Sequence, residues 1–420
     1  MQPIQHRLHD LTPILISGER QRDRKVSGII QHRGRIIMIK SQAKNWGPAE
    51  SGTLVNDDLL KLGALNLIEG CLEDVVGKEI LIVAEDPQLG WYDAAAPTSV
   101  ASVLREMGAI VKTLMVGAPE NDALPVVQRA IDTVDEVIFF ARIGDQGRFK
   151  SQYNFVSQSG RSNAIMCYAR NASMLAGGYG LLTHSAMVAL KDAVDEISLG
   201  ANHIQITCPL GTNIEGSPGE SLTDGNEVVV SRYPMGVPKP VLVNGFTGVV
   251  KLSRFLTSAG SKVYEPAYLE LPDIVTVQID GTRMVDITGS ADLVAAFKGH
   301  YEQVAAQFGL DAFNIDSWHA GIHPLMGYDM SASADPERWS QTVFSNPRVL
   351  HFHTCGLGPP GEICWMIIDP TIVIDGVALW ENGQLHPERF AQTMDVLRNY
   401  PELAIAFAAP IGEIGLGDAF

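Results

Sequence analysis

The sequence predicts an α/β fold in which a doubly wound, mostly parallel sheet domain is followed by an α+β domain with a largely antiparallel sheet. From Val76 onward, short β-branched runs alternate with amphipathic stretches of about ten residues, an order typical of right-handed crossovers in a parallel sheet. Beyond Asp224, short strands are separated by Gly-containing turns. The chain has 420 residues, which suits two domains. We expect an N-terminal extension over 1–58, an α/β domain over 59–210 and an α+β domain over 211–420.

In the first domain, apolar runs bounded by Gly predict strands, and amphipathic stretches predict helices. Thr98 is the expected N-cap of the first of these helices, and Gly108 is expected to end it. The first strand–helix turn lacks G-x-G-x-x-G, so a dinucleotide site is not indicated. The predicted strands are 79–84, 109–115, 136–140 and 204–208, and the predicted helices are 99–107, 124–133 and 185–197.

In the second region, the pairs Asn244-Gly245, Asp280-Gly281 and Asp375-Gly376 favour hairpin turns. They separate short β-branched runs, which indicates an antiparallel sheet. The predicted strands are 228–230, 241–243, 249–252, 274–279, 284–287, 349–353, 363–368 and 372–374, and the predicted helices are 291–308 and 387–398.

Charge and composition narrow the class of function. The formal net charge is -17, with 46% hydrophobic and only 19% charged residues. A surface this acidic repels phosphate backbones and anionic lipid. We therefore expect no nucleic-acid or membrane partner. A small molecule or a second copy of the chain is the expected partner.

Cysteine usage and the N-terminus predict a cytoplasmic location. The five cysteines are scattered without a C-x-x-C pair, which fits neither a disulfide framework nor a cysteine zinc site. Residues 1–24 lack the apolar core of a signal peptide. No uncharged apolar run is long enough to span a bilayer.

A group of histidines carries the clearest chemical signal. Of eleven histidines in the chain, His319, His323, His351 and His353 fall close together. His351 and His353 flank Phe352 in a predicted strand, where residues two apart face the same side about 7 Å apart. His319 and His323 would share a face if their segment is helical, although a tight loop is equally compatible. Neutral imidazole is the commonest protein ligand for iron, zinc and copper, so we expect a metal site in this second domain.

Neighbouring residues could complete such a site. Apolar rings could wall a flat pocket, and His184 is the candidate general acid or base, although a place at a helix N-terminus would also explain it. The candidate carboxylates are Asp316, Asp329 and Glu362, and the candidate wall residues are Trp318, Phe352 and Trp365. The alternative reading is that some imidazoles simply pack among these rings and bond to backbone carbonyls.

Several short segments resemble the thermophilic-type metallo-aminopeptidases, whose fold is shared by 2,5-dihydroxypyridine 5,6-dioxygenase. The resemblance covers most of residues 59–385 and implies the same fold. It also implies association into a homo-oligomer. The segments that carry it are 76–84, 108–111, 210–213, 233–237, 243–245, 372–376 and 381–383.

The departures from this resemblance concern metal ligands. The peptidases carry a metal-binding glutamate where this chain has Val237, and a second one near Ser317. Both families carry an H-x-D pair where Cys364-Trp365-Met366 stands. The histidine-bearing strand of His351 and His353 survives, as does the segment of His319 and His323. Either the metal has moved onto these histidines or the site is inactive, and four clustered histidines favour the first.

The leading hypothesis is therefore a mononuclear non-haem Fe(II) ring-cleaving dioxygenase. Its substrates would be O₂ and a small hydroxylated N-heteroaromatic, such as a dihydroxypyridine or hydroxypyridone. Fe(II) held by His319, His351 and His353, with His323 or Asp316 as a further contact, would leave positions open for both. The alternatives are a zinc- or manganese-dependent hydrolase, either an aminopeptidase or an amidohydrolase, and a catalytically silent scaffold.

Overall fold

The computed structural model of the chain describes residues 27–32, 35–40, 55–119, 124–144, 164–219, 231–258, 264–356 and 361–417. The predicted strand 228–230 and most of the expected N-terminal extension lie outside these ranges. Two strands at residues 27–32 and 35–40, neither of which was predicted, pair antiparallel with each other. No helix in the described ranges has the length and apolar character needed to cross a bilayer.

The described elements alternate between helix and strand in the first half, and strands dominate the second half. The helices are α1 (Asp57–Cys71), α2 (Ala95–Glu106), α3 (Leu124–Ile131), α4 (Ala172–Ala176), α5 (Gly178–Leu181), α6 (His184–Leu199), α7 (Ala291–Phe308), α8 (Pro336–Val343), α9 (Ala391–Asn399) and α10 (Pro401–Ala408). The strands are β1 (Ser27–His32), β2 (Arg35–Lys40), β3 (Glu79–Glu85), β4 (Ile110–Val116), β5 (Glu136–Phe140), β6 (Ala164–Cys167), β7 (Ile204–Thr207), β8 (Asn213–Gly216), β9 (Ser231–Tyr233), β10 (Val241–Leu242), β11 (Phe246–Ser258), β12 (Tyr268–Asp280), β13 (Arg283–Thr288), β14 (Ile315–Ala320), β15 (Val349–Thr354), β16 (Ile363–Ile368), β17 (Thr371–Ile374), β18 (Val377–Glu381) and β19 (Gln384–Leu385).

The smaller sheet is parallel and has the order β4-β3-β5-β6-β9. All of its pairings are parallel, which confirms the predicted crossover architecture. Its central strands are apolar on both faces because helices cover the sheet, and every residue of β5 is buried. The chain turns outward from β3 to β4 and then returns past β3 to β5, so the strand order reverses between β3 and β5.

The larger sheet is antiparallel and has twelve strands, which confirms the second half of the predicted fold class. Its central path runs β10-β14-β15-β16-β11-β8-β7-β17-β18-β19, and β12 and β13 extend from β11. The amphipathic helix α7 packs its buried face, including Phe297 and Tyr301, into the core of this sheet.

One strand lies in a different sheet from the one predicted. The sequence analysis placed β7 in the parallel sheet, but it pairs antiparallel with β8 and β17. The last parallel strand is instead β9, which comes after the predicted boundary at residue 210. A four-residue β-branched strand has the same pattern in either sheet, so only its partners decide its place.

Several elements were predicted with the correct type but with the wrong first or last residue. Helix α2 begins at Ala95, so Thr98 lies inside it, and its hydroxyl donates to the Ala94 carbonyl instead of capping the helix. The predicted strands at 249–252 and 274–279 are parts of the much longer β11 and β12. The predicted helix at 387–398 is divided into a 3₁₀ turn and α9.

Candidate metal centre

The predicted histidines meet on three neighbouring strands of the antiparallel sheet. In β14, His319 lies directly opposite His351 of β15, and Ser317 lies opposite His353. On the other side of β15, His353 lies opposite Cys364 of β16. Because side chains alternate along a strand, these side chains project from one face of the sheet. The strand β14 was not predicted, and it brings His319 to the pair on β15.

Three imidazoles form a compact group on this face, and one ligand atom from each of His319, His351 and His353 lies within 4.8 Å of the others. The Nε2 atoms of His319 and His351 are 2.6 Å apart. The His353 ring centroid lies 5.0 Å from that of His319 and 4.7 Å from that of His351. We call these three residues the histidine triad.

Two members of the triad have their protons positioned by acceptors. The carbonyl oxygen of Pro238 lies 3.1 Å from His319 Nδ1, and a carbonyl only accepts, so this nitrogen carries the proton. The carboxylate of Glu362 contacts His353 Nδ1 and accepts its proton in the same way. The lone pair of each ring is therefore on Nε2. This arrangement, with Nδ1–H held by a carbonyl or carboxylate, is typical of metal-binding histidines.

The triad is buried, and burial keeps two of its rings neutral. His319 is 2% exposed and His351 is 6% exposed. Desolvation lowers the pKa of both imidazoles well below the usual value. His353 and the Arg232 guanidinium lower both further, and His319 also lowers that of His351. A neutral imidazole is the form that binds a metal ion.

Unpaired nitrogen atoms supply the test of whether a metal fits. His353 Nε2 and His351 Nδ1 are buried and have no hydrogen-bond partner among the described residues. A buried polar nitrogen without a partner is costly, and a metal ion satisfies the lone pair of His353 directly. Two Nε2 atoms on one ion at about 2.1 Å each would be about 3 Å apart at a right angle, close to the His319–His351 separation. The donors therefore fit a metal ion that prefers imidazole.

Glu362 and Cys364 extend the site on one side. The ligand atoms of His353, Glu362 and Cys364 also lie within 4.8 Å of one another. Both Glu362 and Cys364 are buried. Cys364 lies opposite His353 in the register of β15 and β16. Glu362 and Cys364 are therefore further donors beside the triad.

The other two candidate carboxylates lie outside these groups. Asp316 occupies an irregularity between β14 and β15 and accepts a hydrogen bond of 2.7 Å from the Ser317 hydroxyl. Burial raises the pKa of Asp316, and the hydrogen bond from Ser317, followed by the nearby His353, partly opposes this. Asp329 is exposed and interacts electrostatically with Tyr328.

His323 and His184 are buried close to each other and outside the triad. His323 follows β14 in a loop, so the shared helical face does not form; its Nδ1 accepts from the Leu325 N–H at 3.3 Å. Its ring packs edge-on against Tyr179 at 4.7 Å. His184 is the first residue of α6, with its Nε2 3.5 Å from the Cys71 thiol and its ring near Tyr233.

The predicted aromatic wall residues lie on the opposite face of the sheet from the triad. Trp318, Phe352 and Trp365 alternate with the site residues along β14, β15 and β16 and belong to the apolar core on the opposite face. Phe352 packs on Trp365 at 5.4 Å between ring centroids. The aromatic ring beside the triad is that of Phe344, edge-on to His351 at 6.1 Å.

Sequence reasoning missed two residues that act on the triad. Arg232 lies in β9 at the edge of the parallel sheet, and Pro238 lies in the loop that follows. Neither belongs to a motif, because a backbone carbonyl has no sequence signal and Arg232 is distant along the chain. The triad thus lies where the two sheets approach each other.

A cleft of about 620 Å³ lies elsewhere, beside Arg348 and His386, and none of the triad histidines lines it. Its wall combines residues near 346–348 with the C-terminal helices. The histidine triad and this cleft are therefore separate features of the molecule.

Comparison with known proteins supports the fold of this site and no closer relationship. No family model matches the chain, and no curated protein matches it. Among solved structures, the chain is similar to the 2,5-dihydroxypyridine dioxygenase from Pseudomonas putida KT2440, with a TM-score of 0.53 and 11% identity. The match covers 81% of this chain and 100% of that one. The wild-type AmpT from Thermus thermophilus matches with a TM-score of 0.43 and 13% identity, over 78% and 98% of the two chains.

Proposed function

We propose that this chain is a mononuclear non-haem Fe(II) dioxygenase that opens a small hydroxylated N-heteroaromatic ring, such as a dihydroxypyridine or hydroxypyridone. The observation that carries the proposal is the orientation of His353. Glu362 accepts the hydrogen bond of its Nδ1–H, while its Nε2 is buried without a partner among the described residues and lies beside two neutral imidazoles. Most buried polar side-chain atoms have a hydrogen-bond partner, so an unpaired ring nitrogen that faces two other imidazoles favours a bound ion.

The overall fold supports the choice of reaction class. The chain spans the whole of the Pseudomonas dioxygenase structure, so the architecture can house such a site. Fold alone does not determine the reaction, and the triad is what links this architecture to metal chemistry here. Imidazole donors suit iron, zinc and copper.

In this proposal His319, His351 and His353 hold the ion, which supplies open positions for a chelating substrate and O₂. Pro238 and Glu362 fix the orientation of the His319 and His353 rings through their Nδ1 protons. Three neutral ligands offset the positive charge of the ion less than carboxylate ligands would, which favours a substrate that binds as an anion.

Arg232 adds to that preference. Its charge acts on both His319 and His351, and its Nε is buried without a partner among the described residues. A guanidinium there would hold the deprotonated hydroxyl or a ring substituent of the substrate. The role of His184 in proton transfer stays a sequence-based prediction. A general acid or base must lie within hydrogen-bond reach of the substrate, and His184 lies outside the triad. Assembly into a homo-oligomer also stays a prediction.

A metal-dependent hydrolase is the second candidate, and one observation favours it. Three histidines with an open position are also a ligand set of catalytic zinc. In that case the ion would supply a hydroxide nucleophile. The identity of the bound metal separates the two candidates.

The test is metal analysis of protein purified without oxygen, with His353→Ala beside the native chain. We expect about one iron per chain, as one triad binds one ion, and its loss in His353→Ala. The control is His386→Ala, which removes a partly exposed histidine that also contacts a glutamate, Glu388. Oxygen uptake with a panel of hydroxypyridines then tests the reaction.

Each alternative outcome has one meaning. Zinc or manganese in place of iron, without oxygen uptake, supports the hydrolase. If neither protein binds metal even after reconstitution, both enzymatic readings fail and the scaffold reading stands. Iron retained in His353→Ala would show that the metal lies elsewhere.

A further inference from the structure

A second group of charged side chains lies at the carboxyl ends of the parallel strands. Glu85 ends β3, Arg142 follows β5, and Arg170 follows β6. The strand order reverses between β3 and β5. Ligands of doubly wound sheets bind in the crevice outside the carboxyl ends of the strands at such a reversal. The location is therefore one where a ligand is expected on topological grounds.

Two guanidinium groups lie over the same indole ring here. The Cζ of Arg142 is 4.2 Å from the Trp91 ring centroid, and the Cζ of Arg170 is 4.9 Å from it. Arg170 also lies 5.4 Å from the Tyr92 ring. The indole stabilises a desolvated cation, but it carries no charge that would balance two cations.

One of these two charges has a buried partner. The Glu85 carboxylate accepts hydrogen bonds of 2.9 Å from the Arg142 backbone N–H and 3.0 Å from its Nε. A further ion-pair distance of 3.0 Å joins it to Arg142 Nη2. Glu85 is thus committed to Arg142.

Arg170 has no such partner. It is 2% exposed, and its Nη2 donates to the Gln341 carbonyl at 2.9 Å. Its Nε and Nη1 are buried, and neither meets an acceptor in the part of the chain that the structure describes. A buried guanidinium with two unmet nitrogens is costly unless an anion satisfies it.

Two further groups converge on Arg170. Arg338 of α8 is half-buried and donates to the Gly90 carbonyl, and the charges of Arg170 and Arg142 both act on it. The hydroxyl of Tyr328 is buried and has no acceptor or donor among the described residues, and both Arg338 and Arg170 act on it electrostatically. Three arginines and a hydroxyl donor therefore share one region.

The nearby carboxylates are occupied by backbone groups. Asp335 caps α8 by accepting from the Arg338 N–H at 3.0 Å. Asp93 accepts from the backbone N–H groups of Ala96 and Ala172 at 2.9 and 2.7 Å. Neither carboxylate hydrogen-bonds the Arg170 guanidinium within the described ranges. These two carboxylates therefore leave Nε and Nη1 of Arg170 without an anionic acceptor.

We propose that Arg170, Arg338 and the Tyr328 hydroxyl form a binding site for a compact oxyanion, a phosphate or carboxylate group, at the carboxyl edge of the parallel sheet. Guanidinium groups match the geometry of these anions. The site is distinct from the histidine triad, because it is built from the ends of the parallel strands and from α8. It does not depend on the identity of the metal.

The test is calorimetric titration of the full-length protein with inorganic phosphate and, separately, with acetate, in a buffer without other oxyanions. We expect saturable binding of one anion per chain. Arg170→Met keeps the unbranched apolar stem of the side chain and removes its donors, so affinity should fall by at least about tenfold. The control Arg398→Met removes an exposed arginine paired with Asp395 and should leave affinity unchanged.

A second variant keeps the test decisive if Arg170→Met does not fold. Tyr328→Phe removes one hydroxyl and should weaken binding by about threefold or more. His353→Ala should bind phosphate as the native protein does, which separates this site from an anion held by the metal. Tighter binding of acetate than phosphate would identify a carboxylate as the ligand group. No binding of either anion, or equal affinity in Arg170→Met and the native protein, would overturn the proposal.

Discussion

His319 and His351 face each other across neighbouring strands with their Nε2 atoms 2.6 Å apart. The Pro238 carbonyl holds the proton of His319 on Nδ1, so without a metal the proton between the two rings must come from His351. That leaves His351 Nδ1 as a buried nitrogen without a partner among the described residues. The two Nε2 atoms are thus close enough to share either one proton or one metal ion, and metal binding would replace the shared proton.

The first prediction concerns this pair. His319→Ala and His351→Ala should each weaken metal binding by more than about 100-fold, because each removes a donor that positions the other. The double variant should bind little worse than either single one, since residues that share one ion are not additive. Competition with a chromophoric chelator measures the affinity. His203→Ala, at an exposed position, is the control, and additive losses would contradict a shared ion.

The second prediction concerns the carboxylate behind His353. Glu362→Gln should lower metal affinity by about 10- to 100-fold, because an amide holds the Nδ1 proton less strongly than a carboxylate does. The matched control is Glu388→Gln, which alters the exposed contact between Glu388 and His386 at 2.9 Å. The metal affinity of each variant is measured by titrating the metal and following the rise in thermal unfolding temperature. Equal affinity in the two variants would show that Glu362 does not orient a ligand.

The third prediction is a pH dependence of stability. Burial lowers the pKa of His323 to about 3, whereas an unfolded histidine titrates near pH 6.5. Below about pH 6.5 the unfolded chain therefore binds a proton that the folded chain does not. The free energy of unfolding then decreases as the pH is lowered. His323→Asn keeps an acceptor for the Leu325 N–H and removes the titrating ring.

Urea unfolding at about pH 7.5 and about pH 5 measures this effect. Between them the native protein should lose on the order of 2 kcal/mol more than His323→Asn. His203→Asn, at an exposed site, should follow the native protein. A native-like pH dependence in His323→Asn would show that the ring is not a buried neutral group.

The fourth prediction concerns the buried ion pair at the reversal of strand order. Glu85→Gln should destabilise the protein by about 3–5 kcal/mol, because it leaves the buried Arg142 charge without compensation. Glu106→Gln is the control, since Glu106 pairs with Lys61 at 2.5 Å on the surface and should contribute about 1 kcal/mol or less. Chemical denaturation compares the two, and similar losses would argue against a buried pair.

The fifth prediction tests the packing of α1. A Cβ at Gly63 would lie 2.0 Å from the Leu175 carbonyl oxygen, so Gly63→Ala should destabilise by about 2 kcal/mol or more. Nothing lies within 4 Å of a Cβ at Gly299, inside α7. Gly299→Ala should therefore stabilise by about 0.5–1 kcal/mol, because Ala favours helix. The opposite signs should appear as opposite shifts in melting temperature.

Local pattern was enough to predict most elements of this fold. The short apolar run at β5 and the amphipathic helix α7 have the observed bounds, because hydrophobic periodicity records which faces are buried. The same logic placed His351 and His353 on one face of a strand. Those two residues are only two positions apart in the sequence, so their shared face follows from the two-residue repeat of a strand.

The rest of the site depends on which strands pair, and pairing is a tertiary property. His319 joins the triad through the register of β14 with β15, and that register also turns Trp318, Phe352 and Trp365 into the core. A shift of one residue would reverse every side chain, and no local signal specifies it.

By itself, the sequence determined the fold class and the concentration of imidazoles in the second half of the chain. Only the tertiary structure decided that three of them share one site and that Glu362 and Pro238 orient two of them. It also decided that Arg170 is buried with two nitrogens unpaired among the described residues. The physical reason is that hydrophobic periodicity is a local property, whereas the partners of a buried polar atom come from distant parts of the chain and are set by packing.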